Sequence, residues 1–420
     1  MHIKSRNLSI FCALLAILSV LATYPVLAAG FCDDWAYAKA SLDLVKTGHL
    51  VFNGWESAMM AWQIAWGAAV IKLFGFSFLA LRLSVLPFAA GCALLLFSIG
   101  RRLGLNDRSC ILCTLTIVLS PVVLPLATSF MSDWTSQFWL LLSLYACLRA
   151  LAAPIPKPAM TWLAIASLAS LVGGSGRQIV WLGILVIVPC TTWLLRSVKG
   201  VIISAAVYWL LSFVAILICT IWFNHQPYAV PENFAGLKIN FLVIYTLAHN
   251  LVTLFLTVLL LCTPVLVCYL STLKARAGRH IIPLAALFAL ILYLAITKGP
   301  QPLAPWMVSM VTPSGVNSGI DGIGRDPIVL GTLTRLFITL FMAVVSYAFV
   351  AFVCSRASRK PASGTSRENN ISWIALAWLL APFSLAYLIL LLPRAALREV
   401  SGAGVFDRYV VPLLPVVIIV

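Results

Sequence analysis

Long apolar runs without a single charge recur along this chain, and they leave few choices of fold. Val201 to Phe223, VIISAAVYWLLSFVAILICTIWF, contains no Asp, Glu, Lys or Arg. At about 1.5 Å of rise per residue, such a run crosses the roughly 30 Å hydrocarbon core of a bilayer as one helix. Backbone in lipid must satisfy its own hydrogen bonds, so only helices and closed barrels span membranes. The period-two alternation of barrel strands is absent, which leaves helices. Composition agrees: 62% of residues are hydrophobic and 10% charged, against roughly half and a quarter in soluble domains. The chain reads as an all-α polytopic membrane protein.

Runs of this kind predict spans at Leu8 to Ala28, Leu79 to Ile99, Ile111 to Thr128, Trp134 to Ala150 and Met160 to Val172. Others follow at Ile179 to Leu195, Val201 to Phe223, Phe241 to Leu270, Ile281 to Thr297, Ile328 to Cys354 and Ile371 to Leu392, with a partial helix from Tyr409. The expectation is a bundle of about 11–13 transmembrane helices. It forms a single domain over residues 1–420 whose first loop, residues 29–78, lies outside the membrane. The closing VVPLLPVVIIV is too short to span, so the sequence is expected to stop within a last helix. The N-terminal segment has the basic start and apolar middle of a signal peptide; it is read as a retained first helix, with cleavage after VLAAG as the alternative.

Charge orients these spans. Ser57 to Phe74, SAMMAWQIAWGAAVIKLF, could cross or could lie at the surface. Placing it at the surface puts 16 of the 28 basic residues into short inside loops and leaves only Asp107 and Glu368 of the 12 acids there. That is the positive-inside pattern, and Ser57 to Phe74 is therefore read as an interfacial helix. The N-terminus and the polar stretch Ser355 to Asn369 fall inside. The formal charge of +16 comes from these dispersed clusters, with no soluble basic domain to bind nucleic acid. The expected location is a bacterial inner membrane, with a cytoplasmic N-terminus and a site on the periplasmic or extracellular face.

Most of the 11 cysteines lie in apolar segments, where cysteine packs as a small hydrophobe. The CxxC of Cys110 and Cys113 sits in SCILCTLTIVL, without the polar partners of a zinc or redox site. His49, His225 and His249 lack ligand spacing. No P-loop is present. A metal is not required by the pattern, although a divalent cofactor stays open.

Acidic and basic residues do meet in the predicted outer loops. Asp33 and Asp34 open the first loop, Glu56 comes near its end, Asp133 lies in TSFMSDWTSQF, and Arg177 and Gln178 lie in GGSGRQIVW. Arg408 and Tyr409 stand in FDRYVVPLLP, where the last apolar run begins. Carboxylates can serve as bases and arginines as phosphate ligands. Each also has a plainer reading. Asp33 and Asp34 could cap an interfacial helix, and Asp133 the helix beginning at Trp134. Arg408 with Tyr409, and Arg177, could be interfacial anchors.

In order and loop placement these motifs resemble the GT-C glycosyltransferases, namely the protein O-mannosyltransferases, the aminoarabinose transferases and the RgtA/B/C/D-like enzymes. DDWAY resembles the D-E-x-x-Y that opens their first outer loop, with Asp33 on the catalytic aspartate, Asp34 on the following acid and Tyr37 on the tyrosine. KLFGFSFLALRL resembles their turn into the next helix, with Gly75 and Arg82 in register. SFMSDW places Asp133 on a second acidic position, GRQ resembles their vRQ, and DRYVVPLLP their R-Y-x-x-P-x-x-P. GWESAMMAW departs from the family by lacking its prolines.

The resemblance implies a GT-C bundle, a polyprenyl-phosphate sugar donor, and a lipid, glycan or protein acceptor. It implies catalysis by Asp33, Asp34 and Asp133, phosphate binding by Arg408, Arg177 and Tyr409, and substrate contacts from Tyr37, Glu56 and Gln178. Two other classes share the location and the many spans: a transporter or flippase of a lipid-linked sugar, and a surface polysaccharide polymerase or ligase. Membrane carriers tend to keep charges near the midplane, whereas this chain keeps them at helix ends and loops.

Overall fold

The computed structural model of the chain describes residues 3–23, 30, 33–153, 155–230, 241–274, 277–307, 311–316, 328–357, 373–400 and 407–415. The predicted inside loop from Ser355 lies mostly outside these residues, as do Phe31, Cys32 and the last five positions. Two compact units emerge. The first comprises Met1–Leu119, Val123–Leu237 and Asn369–Pro393; the second comprises Ser120–Val122, Lys238–Glu368 and Arg394–Val420.

The first unit holds α1 (Ile3–Ala22), α2 (Asp34–Thr47), α3 (Ala61–Phe74), α4 (Phe78–Leu83), α5 (Leu86–Arg102), α6 (Asp107–Val118) and α7 (Val123–Leu126). It continues with α8 (Ser132–Leu151), α9 (Pro156–Gly176), α10 (Val188–Leu194) and α11 (Val201–Asn224). The second holds α12 (Phe241–Leu266), α13 (Ser271–Lys274), α14 (Ala277–Lys298) and α15 (Thr332–Ala357), a short hairpin pairing Val311–Thr312 with Gly315–Val316, and a 3₁₀ turn at Asp407–Val410. Helix α16 spans Trp373–Val400. Among the described residues, eight helical segments are long and apolar enough to cross a membrane, and Ala61–Phe74 and Gln178–Leu194 are shorter apolar helices. The chain is an all-α polytopic membrane protein.

Local chemistry sets the ends of these helices. Gly48, in the left-handed region, closes α2 with its N–H on the Leu44 carbonyl. Ser77 caps α4, and Asn106 caps α6 by accepting from the Ser109 N–H at 2.9 Å. Helix α3 begins at Ala61, later than the Ser57 expected, because Met60 adopts a left-handed backbone and donates its N–H to the Gly176 carbonyl at 3.0 Å.

Four predicted spans are built from more than one piece, one of them Phe241 to Leu270, where α12 gives way to a 3₁₀ turn at Val267–Leu270. Leu79 to Ile99 divides into α4 and α5, and Ile111 to Thr128 divides between α6 and α7 around Ser120 and Pro121. Ile179 to Leu195 opens with a 3₁₀ turn, passes through a π-helical turn at Gly183–Ile187 and ends as α10. Pro189 explains the π turn: it has no N–H for the Leu185 carbonyl, and Val188 instead donates five residues back to Gly183.

Helices α8 and α9 pack closely because small residues line their contact. A Cβ on Gly173 would stand 2.4 Å from the Trp139 Cβ, so only glycine admits that ring. Lower down, Ser170 donates to Ser143 at 2.9 Å across the same pair. With 20 residues, α8 is about 30 Å long and sets the distance between the two ends of this part of the unit.

Candidate active site

Asp33 is the first residue before α2, but its side chain makes no capping hydrogen bond to that helix. Its Oδ1 instead accepts from the Trp55 indole N–H at 3.0 Å, and the residue is partly exposed. Trp55 is held in turn against Trp35, ring centroids 5.7 Å apart. The capping explanation of Asp33 is therefore not what the geometry gives.

Asp34, the next residue, points the other way. It is fully buried, and its Oδ2 takes the Arg82 Nε–H at 2.9 Å, with Arg82 itself 3% exposed. Arg82 also lies over the Phe78 ring. A buried pair of this kind is costly to break, about 3–5 kcal/mol when one partner is lost, because the other is left charged in a dry site. Asp34 and Arg82 thereby lock the start of α2 to α4 and fix where Asp33 sits. Tyr37, one turn along α2 from Asp33, is buried.

The loop between α2 and α3 brings in Glu56. Asn53 organises it: its Nδ2 donates to the Ala36 carbonyl of α2 at 3.1 Å, and its backbone N–H donates to Glu56 Oε2 at 3.0 Å. Glu56 is 1% exposed, and its Oε1 is buried without a hydrogen-bond partner. Burial pushes the Glu56 carboxyl above its ordinary range, opposed by backbone N–H groups led by that of Asn53.

Asp133 lies in the first turn of α8, which starts at Ser132 rather than Trp134. Its side chain meets Arg177, the residue at the end of α9, in a hydrogen-bonded ion pair. Asp133 is nearly buried and its Oδ2 has no hydrogen-bond partner. Below it, Thr135 donates to Gln63 Oε1 of α3 at 2.7 Å, and the Gln63 Nε2 is buried without a partner. Gln178 opens the 3₁₀ turn after Arg177 and is half-buried.

The Met60–Gly176 hydrogen bond ties these pieces together, since it joins the loop bearing Trp55 and Glu56 to the residue before Arg177. Asp33 and Glu56 are thus joined through Trp55 and Asn53, Asp133 is joined to Arg177, and one backbone hydrogen bond links the loop of the first set to the helix end of the second. Arg408 and Tyr409 belong to the second unit, in its 3₁₀ turn, with the guanidinium 5.8 Å from the Tyr409 ring centroid. Among the described residues no group of three His, Cys, Asp or Glu side chains could hold a metal ion.

Arg82, Asn53 and Trp55 matter to this geometry and were not among the expected site residues. Arg82 did carry a signal, as the one charge in the ALRL turn. Asn53 and Trp55 carried none, because their partners lie 17 and 22 residues away.

No protein-family model matches the chain, and no curated protein matches it. Two crystal structures of ArnT from Cupriavidus metallidurans are similar to it. The one bound to undecaprenyl phosphate is 14% identical with a TM-score of 0.42, and the one in the apo state is 15% identical with a TM-score of 0.43. Each comparison covers 96% of this chain and 76% of the ArnT chain.

Proposed function

We propose that this chain is an integral-membrane glycosyltransferase of the GT-C type, moving a sugar from a polyprenyl-phosphate donor to an acceptor on the extracytoplasmic side. The observation that carries the reading is the division of labour between two adjacent carboxylates. Asp34 is buried on Arg82, while Asp33 stays partly exposed on a neutral indole. A base must reach the proton it takes, and the partial exposure of Asp33 supports that role.

In this mechanism Asp33 accepts the proton of the acceptor hydroxyl. The acceptor oxygen then forms a bond to the anomeric carbon, and the bond from that carbon to the donor phosphate breaks. Negative charge grows on the departing polyprenyl phosphate, where fixed guanidinium donors lower the barrier. Arg177 and Arg408 are proposed for that role, with Tyr409 beside the latter. Glu56, Tyr37 and Gln178 are proposed to contact substrate. Asp34 acts as a positioning residue rather than a second base, and Asp133 holds Arg177.

The test is incubation of the purified protein with a panel of polyprenyl-phosphate sugars, followed by measurement of sugar release and transfer. Turnover that vanishes in Asp33→Asn supports the enzyme. Movement of the intact lipid-linked sugar across vesicles, with no bond cleaved, overturns it in favour of a carrier. The sidedness has its own check: a cysteine introduced near Gly48, at exposed His49, should react with an impermeant reagent applied from outside. Labelling only after permeabilisation would reverse the topology.

A further inference from the structure

The end of α8 away from Asp133 carries two arginines whose arrangement the glycosyl-transfer reading does not use. Arg102 ends α5 and Arg149 lies in the last turn of α8. Both guanidiniums lie over one ring, that of Tyr145, at 5.2 and 6.0 Å from its centroid. Arg149 also lies 4.4 Å from the centroid of Trp162 on α9, and it donates to the Tyr145 hydroxyl at 3.3 Å. Tyr145 and Trp162 meet edge to face at 6.2 Å. Three helices therefore meet through these four side chains.

Among the described residues, no carboxylate lies within ion-pair distance of Arg102 or Arg149. The acid at this end, Asp107, is engaged by Arg101 at 3.4 Å and by the Ser5 hydroxyl at 3.1 Å. Cations at helix C-termini are favourable individually, because they answer the helix dipole. That accounts for one arginine on each helix. It does not account for two like charges gathered over a single phenol ring, where they repel. An anion between them removes the repulsion, and each guanidinium has donors to spare for its oxygens.

We infer that Arg102 and Arg149 hold the phosphate of an anionic membrane lipid, with Tyr145 and Trp162 as the walls of the site. The source is a lipid rather than a soluble anion for a positional reason. Tyr and Trp rings belong at the boundary between headgroups and chains, and basic pockets between helices at that depth suit phospholipid headgroups. A guanidinium grips a phosphate through parallel N–H donors while stacking on an aromatic face, which an ammonium group cannot do.

Native mass spectrometry of the purified full chain tests this, with phosphatidylglycerol and phosphatidylcholine offered in equal amounts. Wild type should retain phosphatidylglycerol in preference. The Arg102→Gln/Arg149→Gln double variant should lose that preference, by roughly tenfold in affinity for each arginine removed. The single Arg149→Lys variant keeps charge and helix-dipole complementarity, so it guards against a folding failure of the double variant; it too should bind several-fold more weakly. Equal retention of the two lipids by wild type overturns the proposal, as does full preference in Arg149→Lys. Displacement of the lipid by inorganic phosphate at millimolar concentration would assign the site to a free anion and overturn the lipid source. Asp33→Asn should bind phosphatidylglycerol like wild type, so lipid binding and glycosyl transfer fail or succeed separately.

Discussion

The two ends of α8 handle charge in opposite ways. At Asp133 the carboxylate is met by Arg177, as Asp34 is met by Arg82 in the same unit. At Arg149 the cation meets aromatic rings and a second cation, Arg102, through Tyr145. The first end has matched its buried charges internally and keeps Asp33 partly exposed. The second end gathers two arginines on one phenol ring, with no carboxylate among the described residues within ion-pair distance of either. The difference teaches that matched charge holds a site in shape, whereas mismatched charge recruits a ligand. Neither consequence depends on how many acids or bases each end contains.

The comparison breaks most sharply at Asp33. Asp33→Asn should lower transfer about 100- to 10,000-fold, the range for losing a general base. Its thermal midpoint should stay near wild type, since the residue is partly exposed and bonded to an indole that can equally donate to an amide oxygen. An active Asp33→Asn protein would remove the assignment.

Arg82→Ala should act on folding instead. It strands Asp34 in a dry site, with an expected loss of about 3–5 kcal/mol, read as a lower thermal midpoint and a lower yield of inserted protein. Replacing both partners, Asp34→Leu with Arg82→Leu, should recover much of that loss, because an apolar pair leaves no charge buried. If the double variant is as unstable as the single, the pair is not what holds α2 to α4.

Arg177→Lys sharpens the contrast between holding a shape and binding a phosphate. Lysine keeps the charge opposite Asp133 but loses the planar fork. The donor KM should rise by about tenfold with little change in melting. An unchanged KM would leave Arg177 as a partner of Asp133 alone.

The smallest effect belongs to Glu56. Its pKa is raised by burial, so folding favours the protonated form. The stability this contributes is full below the ordinary carboxylate range and is lost as pH rises through the raised value. Glu56→Gln keeps an acceptor for the Asn53 N–H and cannot ionise. Melting followed from about pH 4 to about pH 8 should fall with pH in wild type and stay flatter in Glu56→Gln. Parallel curves would show that Glu56 carries no such penalty.

Sequence reasoning reached most of the helices and the identity of the charged positions, but not the pairing among them. Asp33 and Asp34 are neighbours of the same type, and nothing local says which one turns inward. Their partners, Trp55 and Arg82, lie 22 and 48 residues on. The plainer reading of Asp33 as a cap fails for a related reason: a carboxylate chooses among all donors in reach, and here it accepts from a packed indole rather than from the helix's own N–H groups. The subdivision around Pro189 was visible in principle, since a proline within an apolar run removes a helix donor. Its outcome, a π turn rather than a kink or a break, depended on what packs alongside, including Gly183 against Ser170.

By itself, the sequence determined that this is an all-α polytopic membrane protein. Apolar runs of that length must enter lipid, and lipid obliges each backbone to satisfy its hydrogen bonds within a helix. Tertiary structure alone decided which of two adjacent aspartates is buried, that Arg177 answers Asp133, and that Arg102 and Arg149 converge on Tyr145. In a membrane, residues facing lipid and residues facing another helix are equally apolar. The pattern that would reveal a soluble helix's packed face is therefore weak here, and with it the information about which distant charges will meet.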